Sequence, residues 1–221
     1  MEQNTIELPL LNLFKPAENN IENSPSIFFL HGFGSNMQDL FGLSPFFPKN
    51  WNCISLQATI PVQFNGWAWA EINFDNILKI HNPKQIRYHH NKIIDSIDLS
   101  IKKLNLNPSQ IYLLGFSQGA GLTIYSGLTN PKKYKAIIAL SGCLSTKEFE
   151  SEIDKENVQN LNIFMGNGIQ DEVITLPLAQ KTRDELSKLN IKLNYNEYNS
   201  GHTISNDCLN DLLYWIKKIS V

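Results

Sequence analysis

The pentapeptide Gly115-Phe116-Ser117-Gln118-Gly119 constrains this chain more than any other feature. It lies between an apolar run, Gln110 to Leu114, that reads as a strand and a small-residue apolar stretch, Gln118 to Leu128, that reads as a helix. A G-x-S-x-G sequence at such a junction folds as a sharp elbow, with a strained serine backbone and neighbours that must be small. The turn lifts the hydroxyl above the sheet edge, at a helix N-terminus whose dipole favours developing negative charge. Ser117 is therefore expected to act as a nucleophile. The competing reading is a glycine-rich turn with an incidental serine, and the strand-turn-helix context argues against it.

The remaining pattern is that of a mostly parallel sheet with crossover helices. Short apolar runs at Ser26–Leu30, Cys53–Leu56, Lys135–Leu140 and Leu161–Met165 read as buried strands, and Lys192–Tyr198 alternates like an outer strand. Between them Gln85–Leu104 carries apolar residues at threes and fours, and Asn107-Pro108 follows as a stop. Pro177–Leu189 and Ser205–Ile219 are the other helix patterns, the first with its proline in the first turn. There is no internal repeat and no break in composition. A length of 221 residues with 42% hydrophobic and 18% charged side chains is enough for one packed domain, 1–221.

A formal net charge of -2 without a basic patch argues against nucleic acid as a partner. Met1 to Phe14 has two Glu, no basic residue and no continuous apolar run, so neither a signal peptide nor a membrane anchor is expected. The three cysteines, Cys53, Cys143 and Cys208, are far apart and unaccompanied by histidine clusters. Reduced thiols in a cytoplasmic protein are the expectation. No H-E-x-x-H or similar spacing points to a metal, and no cofactor is expected.

A serine hydroxyl needs a base. Of the five histidines, His89 and His90 fall inside a helix pattern, His81 lies in the polar connection before it, and His31 belongs to a glycine-rich strand exit. That leaves His202, in a loop between the last strand pattern and the last helix, as the candidate base. The base in turn needs an acidic partner to fix its tautomer. Asp171, in the turn after Leu161–Met165, is the candidate, and the adjacent Glu172 remains an alternative. The order Ser, Asp, His is the one used by α/β-hydrolases. Oxyanion donors are expected from the backbone N–H of Gln118 and from that of Phe33, which sits between glycines in His31-Gly32-Phe33-Gly34. His31 itself reads as a structural residue pinning that loop. Cys143 reads as a buried, inert thiol.

These segments resemble the phospholipase/carboxylesterase family that includes the acyl-protein thioesterases. Leu30-His31-Gly32-Phe33-Gly34, Gly115-Phe116-Ser117-Gln118-Gly119-Ala120, Asp171-Glu172-Val173 and Gly201-His202 occur in that family's order, and the likeness runs from about Ser26 onward. It implies a single-domain α/β-hydrolase, with helices on both faces of the sheet and little or no cap. It also implies hydrolysis of carboxylic esters or thioesters without a cofactor. The catalytic residues then map to Ser117, Asp171 and His202, and the oxyanion donors to Phe33 and Gln118. Gly66-Trp67-Ala68-Trp69 looks like the aromatic segment that lines the site mouth in relatives. Two positions depart from the family pattern. Ser35-Asn36 stands where many relatives carry aspartate, and Gln57 where many carry arginine. Neither touches the triad, and both bear on substrate class.

Leu40, Phe41, Phe46, Phe47, Trp67, Trp69 and Phe74 together are candidates to wall an acyl groove, with Phe41, Trp67 and Trp69 foremost. The expected partner is a small ester or acyl substrate. Exposed aromatic loops allow a homodimer, for which no particular residue argues. The rival outside enzymology is a binding protein on a hydrolase scaffold, whose usual sign, a missing triad residue, is absent.

Overall fold

A computed structural model of the chain describes residues 4–18, 20–73 and 82–220. Phe74 and His81 therefore lie outside the described residues. Its centre is a seven-stranded sheet in the order β1-β3-β2-β6-β7-β8-β9. The strands are β1 (Asn12–Lys15), β2 (Ser26–Leu30), β3 (Asn52–Leu56), β6 (Ile111–Phe116), β7 (Ala136–Leu140), β8 (Asn162–Gly168) and β9 (Lys192–Tyr198). β1 runs antiparallel to β3, and every other pair is parallel. A separate hairpin, β4 (Ile60–Val62) and β5 (Gly66–Ala68), projects between β3 and the long helix.

Side-chain alternation along the strands divides the core in two. Phe28, Leu30, Leu113 and Ile137 face one side, which is covered by α2 (Pro83–Leu104), α3 (Gln118–Thr129) and α4 (Leu176–Ser187). Ile27, Phe29, Leu114 and Ile138 face the other, covered by α5 (Asn206–Ile219) and the short α1 (Met37–Phe41). β2, β3, β6 and β7 are buried on both faces apart from the final Phe116. That explains why they are continuous apolar runs in the sequence. Helix ends follow local chemistry. Ser205 caps α5 by accepting from the Cys208 N–H at 3.2 Å. Asn105 closes α2 in the left-handed region, φ 50°. The helix thus stops before Asn107-Pro108, and Pro108 opens a separate 3-10 turn.

The sequence does not signal β1, the β4–β5 hairpin or the short α1. The hairpin turns through Phe64 and Asn65, both left-handed at φ 60° and 57°, with no glycine at either position to signal the turn.

From β2 the chain steps to β3 on one side, and its later strands, β6 to β9, lie on the other. The loops leaving β2 and β6 therefore part in opposite directions and leave a crevice between them at the carboxyl ends of the strands. Pairing of Leu30 with Gly115 sets the His31–Asn36 loop beside the elbow.

Three histidines are buried parts of the scaffold. His89 accepts from the Thr59 N–H at 3.3 Å and bonds the Gln85 carbonyl at 3.1 Å. His90 is held between the Ser126 hydroxyl at 3.1 Å and the Asn130 amide, which donates to it at 3.0 Å. Burial pushes the pKa of His90 down to about 4, with Glu152 opposing the shift and Lys133 adding to it. Burial also lowers His31 and His89. The consequence has a definite sign. As pH falls from about 6.5 toward about 4, the unfolded chain takes up a proton at His90 and the folded chain does not, so stability drops over that window. The loss expected from His90 is ~3 kcal/mol. Denaturant unfolding across this range should show it, and His90→Gln should flatten the slope. An unchanged slope in the variant would reject the assignment.

Candidate active site

Ser117 lies between β6 and α3 with φ 55° and ψ -117°, a strained conformation for a residue with a side chain. The strain is imposed by close packing. A Cβ on Gly115 would sit 2.2 Å from the Gly119 carbonyl oxygen, and one on Gly119 would sit 2.1 Å from that of Leu30. Neither position accommodates anything but glycine. The Ser117 N–H donates to the Leu140 carbonyl at 2.9 Å, and its own carbonyl accepts from Ala120 and Gly121 at 3.0 and 3.2 Å. The serine backbone is thus held on both sides.

The loops after β8 and β9 bring two more groups to it. The Ser117 hydroxyl lies 3.0 Å from His202 Nε2, and His202 Nδ1 lies 2.7 Å from Asp171 Oδ2. Asp171 is fully packed around its carboxylate, while the imidazole keeps a 22% exposed side chain. The other carboxylate oxygen accepts from the Val173 and Ile174 N–H groups at 2.9 and 2.8 Å. With Nδ1–H donating to Asp171, the Nε2 lone pair is left to accept the serine proton. Glu172, the alternative acid, is exposed. The two loops are stitched together by Gln170, whose N–H donates to the Ser200 carbonyl at 3.0 Å and whose side chain donates to Asn199 at 2.8 Å. Phe116 packs against the His202 ring in a tilted contact, 4.9 Å between centroids. The sequence marks Phe116 only as the variable position of the elbow.

On the opposite side of Ser117, Gln118 is the first residue of α3, where helix N–H groups have no intrahelical acceptor. Phe33 is half-buried in the loop after β2. His31 anchors that loop. Its Nε2 accepts from the Ala58 N–H at 3.2 Å and from the Gln57 side chain at 3.1 Å, so Nδ1 carries the proton donated to the Gly32 carbonyl at 2.8 Å. Gln57 also accepts from the Met37 N–H at 3.0 Å, tying β3 to the start of α1.

The expected aromatic wall is redistributed. Trp69 is 0% exposed, and its indole N–H donates to the His31 carbonyl at 2.8 Å. It offers no surface to a substrate, and its expected lining role is corrected to a buried prop behind the loop. Leu40, the buried residue of α1, and Phe47 are likewise core residues on that face of the sheet. Phe41 and Trp67 remain half-buried, and Phe46 is exposed. Cys143 is half-buried and not fully buried as expected; desolvation, with Asp171 adding to it, still raises its thiol to about 12. The three cysteines are free. Among the described residues there is no cluster of His, Cys, Asp and Glu able to hold a metal, and no helix long and apolar enough to cross a membrane.

A family model described as phospholipase/carboxylesterase matches residues 16–220. The acyl-protein thioesterase 1 of Kluyveromyces lactis is 30% identical over 72% of this chain and 69% of its own. That of Aspergillus fumigatus is 22% identical over 90% and 89%. In fold, a carboxylesterase from Mesorhizobium loti superposes with a TM-score of 0.84 over 98% of this chain and 99% of its own, at 18% identity. The chain belongs to the phospholipase/carboxylesterase family of α/β-hydrolases and is a serine hydrolase of carboxylic esters.

Proposed function

We propose that Ser117, His202 and Asp171 are the catalytic triad of this esterase, with the Phe33 and Gln118 N–H groups as oxyanion donors. The observation that carries the reading is the continuous line from the Ser117 hydroxyl through His202 to Asp171, at 3.0 and 2.7 Å. As Ser117 Oγ attacks the substrate carbonyl, His202 Nε2 takes its proton and Asp171 stabilises the imidazolium. The tetrahedral oxyanion forms between the loop after β2 and the start of α3. Collapse expels the alcohol or thiol, which receives the proton from His202. Water then attacks the acyl-enzyme with the same base.

Substrates on this reading are carboxylic esters, with thioesters and lysophospholipids as further candidates. The names of the acyl-protein thioesterase relatives make a thioester on a protein one form to test. The half-buried Phe41 and Trp67 would contact the acyl chain. We infer a cytoplasmic site of action from the three free thiols.

A p-nitrophenyl ester series from acetate to palmitate tests the substrate class and sizes the groove. Trp67→Ala is expected to change the ratio of kcat/KM between long and short chains by roughly 3- to 30-fold. An unchanged ratio would remove Trp67 from the acyl wall.

A further inference from the structure

Gln118 has a second tie that its backbone role does not require. We propose that its side chain is a positioning residue that sets the geometry of the oxyanion site, an inference that rests on the reading of Ser117 above. The carboxamide bridges two successive residues of the 67–70 backbone: Oε1 accepts from the Trp69 N–H at 2.8 Å, and Nε2 donates to the Ala70 carbonyl at 2.6 Å. A backbone N–H only donates and a carbonyl only accepts, so both partners fix the orientation of the amide.

The strap that Gln118 grips also holds the other donor loop. The Gly34 N–H donates to the Trp67 carbonyl at 2.9 Å, and the Trp67 N–H donates to the Ser35 carbonyl at 2.9 Å. The Trp69 indole donates to the His31 carbonyl at 2.8 Å. Gly66, at the head of the strap, is pressed against Gly34, where an added Cβ would lie 2.2 Å from the carbonyl oxygen. The strap is rigid, because Trp69 is fully buried with its ring 5.2 Å from His31 and 5.4 Å from His89. Residues 67–70 are thereby bonded both to the elbow and to residues 31–35. They set the distance between the two amides that face the oxyanion. Releasing the Gln118 side chain would let the elbow and the loop drift apart, and a misplacement of about 1 Å costs up to roughly 10²-fold in rate.

Two variants test this. Gln118→Met keeps the volume and loses both bonds. Gln118→Glu keeps the bond from Trp69 and sets a carboxylate against the Ala70 carbonyl. Active sites are counted with a fluorophosphonate, so that misfolded protein does not enter the rate. Kinetics are measured with p-nitrophenyl butyrate, and an alkyl boronic acid serves as the tetrahedral mimic. For Gln118→Met, kcat per titrated site is expected to fall roughly 10- to 100-fold with KM within about twofold. Boronic acid affinity should fall by the same factor. The Gln118→Glu rate is also expected to fall, and to recover relative to wild type as pH is lowered from about 8 to about 5, because a protonated carboxyl can donate to Ala70. A purely structural role would not produce that recovery. A kcat per site within about threefold of wild type in both variants, or a rate loss without loss of boronic acid affinity, overturns the proposal. Wild-type protein that takes no fluorophosphonate would instead remove the reading of Ser117, and this inference with it.

Discussion

Ser117→Ala and His202→Ala are each expected to lower kcat by roughly 10⁴-fold or more, and the double variant no further than either alone. The non-additivity follows from the geometry. The His202 Nε2 lone pair has one acceptor task at this site, the proton of a hydroxyl 3.0 Å away. Without the hydroxyl the base has nothing to activate, and without the base the hydroxyl is an ordinary alcohol. The residual rate over water would come from substrate binding and the oxyanion donors. Stability should change little in Ser117→Ala, and relief of the φ 55° strain is not expected because alanine carries the same Cβ. Losses that multiply in the double variant would mean that the two residues act in separate steps.

Asp171→Asn is expected to reduce kcat by roughly 10³- to 10⁴-fold, and Glu172→Gln to leave it within about twofold. The Val173 and Ile174 N–H groups point at one Asp171 oxygen and would orient an asparagine so that its carbonyl oxygen takes that place. The NH₂ group then faces His202 Nδ1, which must accept rather than donate. The ring proton moves to Nε2, and the base presents a donor to the serine. The fold is kept while the tautomer is wrong. Glu172 is exposed and makes no such contact, so its charge matters little. Kinetics of the two single variants decide the matter, and the reverse pattern would reassign the acid.

Much of this architecture is legible in the residues because the inner parallel strands are buried on both faces and the outer β9 alternates. Ser26–Leu30 and Lys192–Tyr198 match the observed strands, and Cys53–Leu56 and Lys135–Leu140 differ by one residue at the start. β1 is not legible because four residues pairing antiparallel at a sheet edge leave no run long enough to stand out. The β4–β5 hairpin is not legible because its turn uses Phe64 and Asn65 in the left-handed region, where glycine would be the usual signal. Around the site, the elbow glycines were readable because backbone contact at about 2 Å from an added Cβ admits no other residue. His202 is legible by position and by elimination, and His31, His89 and His90, three of the histidines set aside, are buried in the scaffold.

The difference at Trp69 has a physical reason. Aromatic residues suit a substrate wall and a core equally well, and only the buried acceptor of its indole N–H, the His31 carbonyl, separates the two. The Gln118 side chain was hidden in the same way, because its partners are backbone groups of a strap that no motif announces.

The most direct measurement is covalent labelling of the folded wild-type protein and of Ser117→Ala with a fluorophosphonate, read by intact mass. The expected result is one adduct per wild-type chain, located at Ser117, and none on the variant. A folded wild-type protein that stays unlabelled, or a variant labelled as readily as wild type, would contradict the assignment of Ser117 as the activated nucleophile.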